Sequence, residues 1–108
     1  MTVKELVEKL NLKVLVEGDL DREITGGYCG DLLSWVMGRA QSGDCWMTVM
    51  GNINAIAVAV LADTSCIVLT ENATLDEDAK VRAEMQEVTI LATEENSFTV
   101  AKKLGELL

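Results

Sequence analysis

The sequence has no histidine and no proline, and its aromatic residues are two Trp, one Tyr and one Phe in 108 residues. Without histidine, the commonest partner of cysteine in zinc sites is missing, and so is the usual base that activates a serine or cysteine nucleophile. The three cysteines, Cys29, Cys45 and Cys66, lie sixteen and twenty-one residues apart, so no short-spaced pair makes a zinc ribbon or a thiol redox motif. They read as reduced, mostly buried thiols. Cys29 is set apart by its place beside paired glycines, where a reactive or metal-contacting thiol is the alternative reading. No metal or cofactor is expected. Long apolar runs are absent too: the longest, Ala55 to Ala62, is far shorter than a membrane span, and the first ten residues alternate charge without a signal-peptide core. A cytoplasmic location is the expectation. Basic residues are scarce, nine against eighteen acidic, for a formal charge of −9. That balance repels phosphate backbones and anionic lipid, which excludes nucleic acid and membrane surfaces as expected partners.

What is present suffices for one core. With 49% apolar residues, a 108-residue chain forms a single domain, 1–108, without disulfides or metal, and no low-complexity stretch or linker divides it. Thr2 to Glu5 fits a capping box, and Val3, Leu6, Val7 and Leu10 share one helical face, ended by Asn11. Leu12, Val14 and Val16 alternate as a strand does. Cys45 to Met50 and Cys66 to Thr70 are short apolar runs suited to strands buried on both faces. Between them, Asn52 can cap a helix over Ile53 to Leu61, the length a crossover between parallel strands needs. Thr74 to Glu77 is a second capping box, opening a helix to Gln86 with Val81 and Met85 as its inward residues. Val88 to Ala92 is a fourth strand. Asn96 or Ser97 caps a last helix that buries Val100, Ala101, Leu104, Leu107 and Leu108. The order predicts an α/β fold: a three-layer α/β/α sandwich around a mainly parallel sheet of about four strands.

The most unusual stretch is Leu20 to Ser34, with Gly26, Gly27 and Gly30 within five residues. Paired glycines permit a sharp bend, and Asp31 is placed to cap a helix from Leu32 to Ala40 whose face is Leu33, Val36, Met37 and Ala40. Two readings stand. In one, a tight turn feeds a helix and Arg22 pairs with a nearby carboxylate. In the other, the amides of Gly26 and Gly27 and the Thr25 hydroxyl hold a phosphate that Arg22 engages, with Asn52 as a further contact or simply a cap.

Asp21-Arg22, Thr25-Gly26-Gly27-Tyr28 and Gly30-Asp31 resemble the signature of the DRTGG domain, and the likeness continues through the Asn54 to Leu61 stretch. The resemblance implies the fold of the N-terminal domain of HPr kinase/phosphorylase. Related domains occur in some phosphotransacetylases and accompany CBS domains in certain pyrophosphatases; stand-alone versions also occur, some near iron hydrogenase genes. Motif membership carries over to Asp21, Arg22, Thr25, Gly26, Gly27, Tyr28 and Asp31. Kinase activity does not, because no Gly-x-x-x-x-Gly-Lys-Ser/Thr loop is present.

Trp35 lies opposite the apolar stripe of its helix, so another surface has to cover it. With Trp46 and Met50 it is a candidate interface residue, and a two-fold homodimer is the default geometry. The sequence therefore reads as a non-catalytic regulatory or interaction module, a homodimer with a partner enzyme, hydrogenase-associated in one setting. The alternatives are a sensor of an adenine nucleotide or another phosphorylated small molecule at the glycine bend, and a small enzyme of unknown reaction.

Overall fold

Four parallel strands lie side by side in the order in which the chain makes them, as described by a computed structural model covering residues 1–108. In chain order the elements are α1 (Val3–Leu10), β1 (Lys13–Val16), β2 (Gly26–Cys29), α2 (Leu33–Arg39), β3 (Asp44–Thr48), α3 (Ile53–Ala62), β4 (Cys66–Leu69), α4 (Glu77–Gln86), β5 (Ile90–Ala92) and α5 (Ser97–Leu107). The sheet order is β1-β5-β4-β3-β2, with β1 antiparallel to β5 and every other pair parallel. A chain that winds in one direction through right-handed crossovers puts all its crossover helices on one face. Accordingly α2, α3 and α4 form one layer, and the terminal helices α1 and α5 cover the other.

The expected three-layer sandwich is therefore present, with five strands in place of about four. The additional strand is the glycine stretch. Gly26 to Cys29 pairs in parallel with Asp44 to Met47 and forms an edge of the sheet. Neither Gly26 nor Gly27 has a positive φ, so the bend expected there does not exist. Parallel pairing with the buried β3 outweighs the conformational freedom of two glycines.

Each face has its own core. Trp46, Val36, Ile56, Ile67, Ala79 and Ala83 belong to the cluster under α2, α3 and α4; Val3, Leu6, Met47, Val68, Leu91 and Leu104 belong to the one under α1 and α5. Strand β3 is buried at all five residues because it has neighbours on both sides and a helix layer on each face. Alternation along it divides the residues, sending Trp46 one way and Cys45 and Met47 the other.

Most helix ends follow their expected signals. Thr2 and Glu5 close the capping box of α1, Asn11 ends it at φ 52°, and Asn52 and Asn96 accept from Ala55 N and Thr99 N, each at 2.9 Å. Two helices differ. Helix α4 starts at Glu77 after Asp76, without a side-chain cap, because Gly51 draws the segment before it inward: Asp76 N donates to Gly51 O at 2.8 Å. Its inward residues are Ala79 and Ala83, while Val81 and Met85 face solvent. Close approach to the sheet favours alanine there over longer side chains. Leu107 and Leu108 are also exposed, beyond the last contact of α5 with the core.

Candidate functional site

Strands β1 and β2 occupy opposite edges, so residues 17–25 must cross beneath the whole sheet. They do so as a belt along the amino ends of the parallel strands. Gly18 N donates to Thr89 Oγ1 at 3.0 Å before β5; Arg22 donates to Asp63 Oδ1 and to the Asp63 carbonyl, each at 3.0 Å, before β4. Thr25 N donates to Gly43 O at 3.1 Å and Thr25 Oγ1 to Ser42 O at 3.2 Å, before β3. The belt is also tied to α1, since Val3 N donates to Arg22 O at 3.0 Å and Ile24 N to Met1 O at 2.8 Å.

Arg22 thus has a carboxylate partner, as the first of the two sequence readings anticipates. The electrostatics at this end oppose an anion. Helices α3 and α4 end here at Asp63 and Glu87, presenting carbonyls and the negative poles of their dipoles. A small cavity of about 160 Å³ between them is lined by Asp19, Arg22, Asp63, Thr64 and Glu87, with three carboxylates to one guanidinium. Arg22, and after it the Ser42 hydroxyl, holds the Asp63 carboxyl below its ordinary 3.8.

The residues singled out in the sequence do not converge. Asp21, Arg22 and Thr25 lie on the belt; Gly26, Gly27 and Tyr28 form the edge strand, with the Tyr28 ring half-buried against the core. Asp31 and Asn52 lie at the opposite, carboxyl end of the sheet. Asp31 does not cap α2, whose N-cap is Leu32 without a side-chain bond. Instead Asp31 Oδ1 accepts from Thr48 Oγ1 at 2.7 Å and from Val49 N at 3.0 Å, fastening the segment after β2 to the end of β3. Asn52 acts as a cap.

Trp46 cannot serve an interface: it is 0% exposed, and its indole N–H donates to Gly30 O at 2.9 Å. Met50 is half-buried against the same core. Trp35 does face solvent, at 55% exposure, with the Arg39 guanidinium stacked 3.7 Å from its ring centroid. Met37 on α2, Val60 and Leu61 on α3, and Val81 and Met85 on α4 are exposed as well. The sequence signal for these exposed side chains was α3 itself, which contains no charged residue.

Two of the thiols are held in their protonated form by their surroundings. Burial, then the Asp31 charge, pushes the Cys29 thiol up; Cys45 is raised well above the usual thiol range by the neighbouring Cys66 thiol and by burial. Cys45 and Cys66 face each other across β3 and β4. No three His, Cys, Asp or Glu side chains are grouped to hold a metal, and no helix is long and apolar enough to cross a membrane.

Sequence comparison matches residues 5–107 to the model of the DRTGG domain. By structure the chain is similar to the CBS and DRTGG domains of the regulatory region of Clostridium perfringens pyrophosphatase, complexed with its activator diadenosine tetraphosphate. The TM-score is 0.73 at 13% identity, over 94% of this chain and 44% of that one. The likeness is one of fold, and this chain spans less than half of that neighbour. Among curated proteins none matches in sequence.

Proposed function

Because the chain belongs to the DRTGG domain family, we propose that it is a non-catalytic regulatory module acting as a homodimer. The observation that carries this reading is the exposed apolar side chains of the α2, α3 and α4 layer: Leu61 and Met85 are 71% and 73% exposed, and Trp35, Met37, Val60 and Val81 are exposed too. Large apolar side chains gathered on one face mark a contact surface. A second copy suits it for an electrostatic reason. Two chains of charge −9 repel each other, and α3 is the surface helix with no charge to bring into contact. The raised thiols support the non-catalytic part, since a nucleophilic cysteine needs a lowered pKa.

Light scattering tests it. The wild type is expected at the dimer mass and Leu61→Glu at the monomer mass of 11.7 kDa, with unchanged circular dichroism. A wild type that stays monomeric at high micromolar concentration overturns the dimer.

A second reading, that the module senses a nucleotide or another phosphorylated small molecule, is favoured by the activator bound to the pyrophosphatase regulatory region. Melting-temperature shifts on adding adenine nucleotides test it, because a ligand of the native state raises stability by mass action.

A further inference from the structure

Four of the six lysines, Lys9, Lys13, Lys80 and Lys103, border two adjoining clefts at the carboxyl end of the sheet beside β1. The larger, about 770 Å³, carries Lys9, Lys13 and Lys103; the smaller, about 390 Å³, carries Lys13 and Lys80, and the two share Lys13, Asn72 and Ala92. The topology gathers these residues. Strand β1 runs antiparallel to β5, so Lys13 at its start is paired with Ala92 at the end of β5. Lys9 comes from the last turn of α1, Lys80 from α4 and Lys103 from α5. This is the end of the parallel strands at which ligands of open α/β sheets usually bind, and the crossover helices direct their amino ends toward it.

Carboxylates are present too, in Glu77, Glu94 and Glu95. Glu95 is neutralised by Lys103, whose Nζ lies 2.8 and 3.1 Å from its two oxygens. Lys9, Lys13 and Lys80 take part in none of the ion pairs. In a chain with twice as many acids as bases, three unpaired ammonium groups along one edge are a local reversal of charge. No aromatic residue lines either cleft, so a nucleobase has nothing to stack on and a chain of negative groups has several cations to follow.

We infer that this double cleft binds a polyphosphate group, with Lys13 at its centre, Lys9 and Lys103 at one end and Lys80 at the other. The inference rests on the phosphorylated-ligand reading and gives it a location away from the glycine stretch. Binding is governed by charge and weakens as salt is added.

Calorimetric titration and thermal melts at low salt, with inorganic triphosphate and with ATP, test it. Both probes are expected to bind the wild type and raise its melting temperature. Lys13→Glu and the double variant Lys9→Glu/Lys80→Glu are expected to bind each at least about tenfold more weakly, a loss of roughly 1.4 kcal/mol. Lys4→Glu and the double variant Lys4→Glu/Lys102→Glu change the net charge by the same amounts but lie outside the clefts, and should each weaken binding by less than about threefold at the same salt. Equal losses in all four variants, or none in any, overturn the location while leaving the phosphorylated-ligand reading intact. ATP binding without triphosphate binding does the same. A wild type that binds neither probe overturns the location and that reading together. All the substituted lysines are exposed, so circular dichroism is expected to be unchanged throughout.

Discussion

Arg22 holds Asp63 twice, through the carboxylate and through the carbonyl of the residue that ends α3, each contact at 3.0 Å. The arginine of the signature motif is therefore a brace. It joins the belt beneath the sheet to the helix at the centre of the outer layer, the helix that carries the proposed dimer surface.

Arg22→Ala is expected to lower stability by about 1 kcal/mol, since one contact is a charged hydrogen bond to a helix-terminal carbonyl and the other a largely exposed ion pair. The midpoint of urea unfolding measures it. Triphosphate binding at the lysine clefts should be unaffected, and a lost response in this variant would move the ligand site back to the motif.

The same pair predicts an acid response. Arg22 and Ser42 depress the Asp63 pKa below its ordinary 3.8, so the folded state binds its proton less readily than the unfolded chain does. Its contribution is present in full above the unfolded value and drains away as the pH falls through the depressed folded value. Below about pH 4, wild-type stability should fall more steeply than that of Asp63→Asn. Parallel acid-unfolding curves for the two proteins would contradict this.

Signals of short range were legible in the sequence. The capping residues Thr2, Asn52 and Asn96 and the stop at Asn11 depend on neighbours within a turn, and all appear as read. The glycine stretch was misread for the opposite reason: what makes Gly26 to Cys29 a strand is β3, eighteen residues later, and nothing local announces it. Trp46 differs from Trp35 only through its place in a central strand, which pattern alone does not distinguish from an interface. The lysine clefts were hidden because Lys9, Lys13, Lys80 and Lys103 come from four elements that meet only once β1 has added antiparallel to β5.

Asp31 and Thr48 offer a second internal test. Thr48 is fully buried and gives its hydroxyl proton to Asp31 while its oxygen accepts from Met50 N at 3.2 Å. Asp31→Ala should cost about 1–3 kcal/mol, because it leaves a buried donor without a partner. The double variant with Thr48→Val should cost less than the sum of the two single changes, the sign of a direct interaction. Strict additivity in urea unfolding would mean that the bond contributes nothing.

Gly43, outside the pair that names the motif, is a position that requires glycine. Gly43 has φ 87°, and a Cβ added there would collide with the Thr25 hydroxyl on the belt. Gly27 has an ordinary extended backbone, and an added Cβ would meet the flexible ends of Leu104 at 3.1 Å and Met47 at 3.4 Å. Left-handed backbone penalises any side chain, whereas a strand position that loses its glycine also reduces the entropy of the unfolded chain. Gly27→Ala should therefore change stability by less than about 1 kcal/mol, and Gly43→Ala should cost clearly more than about 1 kcal/mol. The reverse order in thermal melts would mean that the paired glycines form a bend after all, and with it would return the case for an anion held on their amides.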